Sequence, residues 1–303
     1  MPNGFDNIGA TCYWNSIIQS LLSCEIFNTT MKRLKPHKNA FINTYNEMLD
    51  VDDSQKSPYA GRLWHNMIEI LRKEKKYTSF GNGQEDSHEG MIMLLECMDG
   101  VEEIQELFRS KKKVELICFD CKKPIKLYTE KNGIKEETQR KNEIDNVVFL
   151  EPDYLSIREK FIEYVKNKKD VNVHLLTNYT FQRAIKTQYD IIEMKCTTPN
   201  CTATQILKQT SLLTLPSILV VCFKKYFQKN LLMFPPSLEY ITVDKRVEKF
   251  NLVSQIEHSG GMGGGHYWSI SKRDNIWYQF NDSHYRPDSQ SPTDLTYMIF
   301  YQR

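Results

Sequence analysis

The apolar period changes along this 303-residue chain, and the change restricts what it can fold into. In the first third the period is helical. Ile17, Ile18, Leu21 and Leu22 make one apolar face, and Leu63, Met67, Ile70 and Leu71 make a second. Met91, Leu94, Leu95 and Met98 make a third at i, i+3, i+4, i+7 spacing. In the last third the pattern is that of strands. Residues 217–223 form a continuous apolar, β-branched run, the pattern of a buried strand. Residues 266–271, 276–280 and 297–301 also read as strands. Helices first and strands later predict an α+β architecture. Between them, residues 154–164 have helical character. The charged stretch 129–145 reads as an exposed loop or a long hairpin tip, with a disordered insertion as the alternative. A hydrophobic fraction of 40% and an aromatic fraction of 12% supply a core, which excludes wholesale disorder.

Charge excludes further classes. Forty Lys and Arg stand against 38 Asp and Glu, a net charge of +2, which argues against a protein built to hold nucleic acid or an anionic membrane. The basic clusters 109–113 and 166–169 are short and read as solvated faces. No apolar run reaches the length of a membrane span. The start, Met1-Pro2-Asn3-Gly4-Phe5, has neither the charged nor the apolar region of a secretion signal, so an intracellular setting, cytoplasm and/or nucleus, is expected.

In a reducing compartment, clustered cysteines point to metal or catalysis rather than to disulfides. Of the eight, Cys24, Cys97 and Cys222 sit in apolar surroundings and read as core residues. Cys118 and Cys121 form a C-x2-C pair, and Cys196 and Cys201 a C-x4-C pair, within the range of structural zinc sites. The long stretch between the pairs makes spacing alone weak evidence, and plain surface thiols are the alternative. Four thiolates on one zinc would leave no open coordination position. Such an ion would clip two distant strands and would perform no chemistry.

Cys12 begins the first helical pattern. Unpaired N–H groups at a helix start favour a thiolate and lower its pKa. Gly9 permits a tight turn and close approach of a substrate. Asn7, on the same turn, can donate its amide to a developing oxyanion. A buried core thiol is the competing reading of this segment, and a base is needed to decide.

Seven histidines are present, and six have no obvious special setting. His266 follows Gly260-Gly261-Met262-Gly263-Gly264-Gly265, with five glycines in six positions. Such a run admits another backbone or flexes as a gate, with a loose linker as the alternative. The strands at 266–271 and 276–281, joined by Lys272-Arg273-Asp274-Asn275, predict a hairpin. If all four residues form the loop, Ser271 faces Ile276 and His266 faces Asn281 on the same side of the sheet. The imidazole then reaches the amide oxygen of Asn281, while Asp282 points to the opposite face. One bulge would bring Asp282 to the imidazole instead. A Cys-His-Asn set is a known variant of triad chemistry, because a neutral amide suffices to fix the tautomer and ring orientation.

These residues resemble the ubiquitin-specific proteases. Gly4-Phe5-Asp6-Asn7-Ile8-Gly9-Ala10-Thr11-Cys12-Tyr13-Trp14-Asn15-Ser16 is similar to their cysteine box. Gly264-Gly265-His266-Tyr267-Trp268 and Trp277-Tyr278-Gln279-Phe280-Asn281-Asp282-Ser283 are similar to their histidine box. Gln84-Glu85-Asp86-Ser87-His88-Glu89, Leu215-Pro216-Ser217-Ile218-Leu219, Phe223-Lys224-Lys225-Tyr226 and Tyr297-Met298-Ile299-Phe300-Tyr301 match further motifs in the family's order.

The resemblance implies a papain-like cysteine protease with a thumb at about residues 1–110, zinc-ribbon fingers at 111–213 and a palm at 214–303. It implies a thiol isopeptidase that cuts after the C-terminal Gly-Gly of ubiquitin, with ubiquitin and ubiquitinated proteins as partners. No catalytic cofactor is implied. Cys12 falls on the nucleophile, His266 on the base, Asn281 on the third member and Asn7 on the oxyanion position. Gln84 and Asp86 fall on positions that contact the ubiquitin tail, and Tyr267 lies beside the cleft. The family's frequent cysteine pairs at the fingertip place zinc at Cys118, Cys121, Cys196 and Cys201. Three positions depart from the family pattern: Ala10 stands for the usual Asn, Trp14 for Met, and Gly90 for a large apolar residue. Two rival readings are a catalytically silent ubiquitin-binding module and a protease for another modifier or for ordinary peptides. An intact Cys12, His266 and Asn281 count against the first.

Overall fold

The computed structural model describes residues 3–52, 58–74, 86–125, 128–131, 134–137, 143–145, 147–150, 185, 187–223, 234–241, 246–261 and 264–303. The helical expectation at 154–164 lies outside them.

The helices come first. They are α1 (Cys12–Leu22), α2 (Glu25–Arg33), α3 (Ala40–Asp52), α4 (Pro58–Glu74), α5 (Ser87–Cys97) and α6 (Glu102–Phe108). The three predicted apolar faces fall on α1, α4 and α5, with Met98 capping the last. Every residue of α1 is buried, more than a one-faced helix requires. It lies between the other helices and a sheet, so its polar residues must find partners inside. Ser254 Oγ donates to Ser20 Oγ at 2.8 Å and lies 2.6 Å from Ser271 Oγ. Ser20 in turn donates to the Ser16 carbonyl, and Gln19 donates to the Asn3 carbonyl at 2.7 Å.

The strands follow. They are β1 (Ser110–Cys118), β2 (Tyr128–Lys131), β3 (Ile134–Glu137), β4 (Glu143–Asp145), β5 (Val148–Leu150), β6 (Thr187–Glu193), β7 (Gln205–Thr214) and β8 (Ile218–Phe223). Then come β9 (Ser237–Ile241), β10 (Val247–Gly261), β11 (Gly264–Arg273), β12 (Ile276–Asn281), β13 (His284–Pro287) and β14 (Thr296–Gln302). One sheet has the order β13-β12-β11-β10-β14-β8-β5, with β9 on β10; a second is β4-β1-β7-β6. The segment 129–145 contains the antiparallel pair β2–β3, in agreement with a hairpin tip, and β4, which pairs with β1.

The continuous apolar run at 217–223 is explained by two-sided burial. Ile218, Val220 and Cys222 of β8 join the core beneath the helices, while Leu219, Val221 and Phe223 join a second core on the other face. Cys24, Cys97 and Cys222 are buried, as core thiols should be, and burial pushes the Cys24 thiol up to about 12.

The hairpin that carries His266 differs from the sequence expectation. Its loop is the two residues Asp274 and Asn275, at φ 49° and 66°, and not all of Lys272–Asn275. Asp and Asn tolerate the left-handed region that this tight turn demands, so the first strand runs two residues further, to Arg273, while the second still starts at Ile276. Arg273 pairs with Ile276 and Ser269 with Phe280, so His266 does not directly face Asn281. Continuing that register, Trp268 stands opposite Asn281. The glycine run is no linker either. Gly260 and Gly261 pair with Gly265 and Gly264, so the backbone admitted so closely is the chain's own. A Cβ on Gly260 would lie 2.4 Å from the Gly264 carbonyl oxygen.

Candidate active site

The segment before α1 presents Cys12 through two consecutive left-handed residues, Gly9 at φ 99° and Ala10 at φ 53°. Side-chain bonds hold this turn. Thr11 N–H donates to Asn7 Oδ1 and Ile8 N–H to Thr11 Oγ1, both at 3.1 Å. The Ala10 departure therefore falls where Asn would sit with less strain. Trp14 is fully buried in the core, two residues after Cys12.

His266 links the two ends of the chain. Its Nε2 lies 2.7 Å from Asn281 Oδ1, and the ring is close enough to the Cys12 sulfur for the two to interact. Since Nε2 is committed to Asn281, Nδ1 is the nitrogen left for the sulfur. The Cys12 sulfur, as an acceptor for the ring N–H, is the main reason that the imidazole pKa rises to about 9; burial opposes the rise, and the Asn281 bond and the Cys12 and Asp282 charges add to it. The His266–Asn281 contact is a diagonal one across the hairpin. A two-residue offset keeps both side chains on one face, where a one-residue slip would have separated them. The Trp268 ring lies 6.0 Å from the imidazole at an interplanar angle of 26°.

Asp282 takes a position that neither sequence alternative described. It occupies the turn between β12 and β13 at φ 51°, with one carboxylate oxygen 4.0 Å from His266 Nε2. That carboxylate accepts Asn7 Nδ2 at 3.1 Å and Asn15 Nδ2 at 2.7 Å. Gly4 lies against the same turn, where a Cβ would come within 2.4 Å of the Ser283 backbone. Phe5 N–H donates to the Asp282 carbonyl at 2.9 Å. The cysteine-bearing and histidine-bearing segments are thus joined through Asp282. Asn15, which supplies the shorter of the two amide bonds to that carboxylate, was not singled out by sequence.

On the opposite flank of His266, Asp86 caps α5. Its Oδ1 accepts His88 N–H at 2.7 Å and its Oδ2 accepts the Tyr297 hydroxyl at 2.5 Å. Tyr267 is buried and stacks on His258 with ring centroids 4.3 Å apart. His258 sits against Gly265, where a Cβ would be 2.2 Å from its Nε2. The reading that six histidines lack a special setting is corrected here for His258, and also for His284, which lies beside His266 on the other flank. Pairing β10 with β11 through the glycine run would have placed His258 opposite Tyr267. Gln84 lies outside the described residues. Gly90 allows α5 to close on α1, since a Cβ there would lie 2.8 Å from Ile17 Cδ1 and 3.0 Å from Tyr13 Cδ2. Tyr13 and Ile17 fill the space that a large residue would take.

The two cysteine pairs converge at one end of the β1–β7 pair. Cys118 Sγ is 3.7 Å from Cys201 Sγ, Cys121 Sγ is 3.8 Å from Cys196 Sγ, and all four sulfurs lie within 4.8 Å of one another. A tetrahedron of sulfurs at zinc–sulfur distance has edges of about 3.8 Å. The four residues therefore fit a metal ion. The nearby Thr198 hydroxyl holds the Cys121 thiol down at about 6 and lowers Cys196, favouring the thiolates such an ion needs, while burial pushes Cys118 up to about 12.

Comparison with known proteins gives a consistent picture. The family model described as ubiquitin carboxyl-terminal hydrolase matches residues 3–301. Human ubiquitin carboxyl-terminal hydrolase 15 is 33% identical over 123 residues, which cover 35% of this chain and 12% of that protein. Ubiquitin carboxyl-terminal hydrolase 8 of Arabidopsis thaliana is 32% identical over 118 residues, 33% of this chain and 13% of that protein. The matched part is thus only about an eighth of those relatives' length. Among solved structures, the SAGA DUB module of Ubp8, Sgf11, Sus1 and Sgf73 bound to monoubiquitin superposes with a TM-score of 0.70 at 17% identity, covering 99% of this chain and 68% of that one. The same module bound to ubiquitin aldehyde gives 0.66 at 18% identity, covering 99% and 69%. At that identity the likeness is one of fold.

Proposed function

The chain belongs to the ubiquitin carboxyl-terminal hydrolase family, and on that premise we propose that it is a thiol isopeptidase that hydrolyses the bond after the C-terminal glycine of ubiquitin. The observation that carries the reading is His266, held between the Cys12 thiol and the Asn281 amide oxygen. Asn281 fixes the ring, and His266 takes the Cys12 proton. The thiolate adds to the carbonyl carbon, forming the C–S bond. The Cys12 backbone N–H and the Asn7 amide face the oxyanion. Asn7 keeps one amide proton for this role, the other being directed to Asp282. The C–N bond then breaks as His266 protonates the lysine amine. Water, deprotonated by His266, cleaves the thioester and returns the thiol. Asp282 is a clamp between the two segments rather than the third member, because its oxygens serve Asn7 and Asn15 while Asn281 is at the imidazole.

Ubiquitin is the partner, its tail lying along the flank of Asp86 and Tyr267; Gln84, outside the described residues, is assigned to the tail by the family resemblance alone. The chain divides into a thumb at about 1–110, fingers at 111–213 and a palm at 214–303. Cys118, Cys121, Cys196 and Cys201 hold a structural zinc ion, which ties β1 to the residues preceding β7 and supplies no chemistry. Among the described residues no helix is long and apolar enough to cross a membrane.

The test is incubation with ubiquitin carrying a C-terminal thiol-reactive warhead. A covalent adduct that forms in the wild type and is lost in Cys12→Ala is expected. Failure to form it, or its persistence in Cys12→Ala, overturns the assignment. A parallel probe built on another ubiquitin-like modifier reports selectivity.

A further inference from the structure

The sheet order gives His266 two different flanks, since β11 lies between β10 and β12. On the β10–β14 side, His258, Tyr267, Tyr297 and Asp86 form a packed and hydrogen-bonded wall. On the β12–β13 side is an open cavity of about 600 Å³ whose lining includes Asp6, Asn7, His266, Asn281, Asp282 and His284.

We infer that this cavity receives the acceptor polypeptide that carries the modified lysine, and that Asp6 makes it favour acceptors with cationic residues beside that lysine. The inference rests on the isopeptidase reading and extends it to the leaving-group side. Acyl and leaving groups diverge from the carbonyl carbon under attack. If the ubiquitin tail occupies the Asp86–Tyr267 flank, the amine departs on the other. His266 must reach that nitrogen to protonate it, and His266 is part of the cavity wall.

Charge supplies the selectivity. Neither Lys nor Arg lines the cavity, while two carboxylates do. The Asp282 carboxylate is engaged by Asn7 and Asn15. The exposed Asp6 carboxylate has no hydrogen-bond or ion-pair partner among the described residues. The Asp6 backbone is nonetheless fixed. Its carbonyl accepts Trp64 Nε1 at 3.2 Å and Asn15 Nδ2 at 3.4 Å, and the preceding Phe5 stacks on Trp64 at 5.0 Å. A carboxylate on a rigid stem beside the exit path attracts a cation without reorganising.

The experiment uses two substrates, each a ubiquitin joined by an isopeptide bond to the lysine of a short peptide, with Arg neighbours in one and Glu neighbours in the other. A fluorogenic ubiquitin amide with no acceptor peptide reports whether the enzyme is active at all. The wild type is expected to prefer the Arg peptide in kcat/KM by about three-fold at low ionic strength, the preference shrinking as salt rises. Asp6→Asn should bring the ratio close to one, and Asp6→Lys should invert it. Equal rates on the two peptides in the wild type, or a ratio unmoved by both substitutions, overturns the inference while leaving the isopeptidase reading standing. No hydrolysis of any of the three ubiquitin substrates overturns both.

Discussion

Asn15 donates its side-chain amide to Asp282 at 2.7 Å, joining the helix that begins at Cys12 to the turn that follows the His266 hairpin. Asp282 also receives Asn7, so one carboxylate sets the spacing of Cys12, Asn7 and His266. Asn15→Ala leaves that half-buried carboxylate short of a donor and should destabilise the fold by about 1–3 kcal/mol. Thermal denaturation measures the loss, and a fall in kcat larger than any change in KM is expected because the reacting groups are misplaced. Unchanged stability and kcat would show that the bond has no such role.

The pH dependence follows from His266. Its pKa in the folded chain is about 9, above the ordinary value of 6.5. The stabilisation from its raised pKa is therefore fully present below 6.5 and is lost as pH rises through about 9. In the proposed reaction His266 gives a proton to the leaving amine, and that proton is lost over the same upper range, so kcat/KM should decline with an alkaline limb near 9. Asn281→Ala removes a bond that supports the raised value, so the limb should move to lower pH and kcat should drop by about 10²-fold. Trp268→Ala opens the His266–Asn281 bond to water and should shift the limb the same way, with a smaller loss of rate.

Metal removal tests the cysteine cluster. Purified protein should contain about one zinc per chain, and Cys118→Ser or a strong chelator should abolish it. Faster amide exchange is expected at the end of β1 that carries Cys118 and in the residues just before β7, with little change in α1. Elemental analysis giving well under one zinc per chain would remove the ion from the account.

Gly90→Ala tests the contact between α1 and α5. The new methyl would press on Ile17 and Tyr13, neither of which can move far in a buried layer. A loss of about 1–3 kcal/mol in denaturant unfolding is expected.

Ala10→Gly should act in the opposite direction. Ala10 is left-handed at φ 53°, and relief of that strain should stabilise the fold by about 1 kcal/mol. No gain in unfolding midpoint would argue that the turn carries no strain.

The sequence by itself determined the local elements and the chemistry-bearing residues. Apolar period gave α1, α4, α5, β8, β11, β12 and β14, because a helix or strand must present a face to the core whatever else surrounds it. It singled out Cys12 at a helix start and His266 on a strand. It also brought His266 and Asn281 to one face of a hairpin, through a register two residues off, because a two-residue slip preserves the face. Tertiary structure decided what depends on distance across the chain. The register was set by Asp274 and Asn275 adopting left-handed conformations, which the loop composition allowed without specifying. Asp282 became a clamp only when the segment containing Gly4 and Phe5 packed against its turn, and His258 joined the site only when the glycines closed into a hairpin. The cysteine pairs met only when β1 and β7 paired, which no spacing along the chain could state. Local pattern fixes which way a side chain faces. Long-range packing fixes what it meets there.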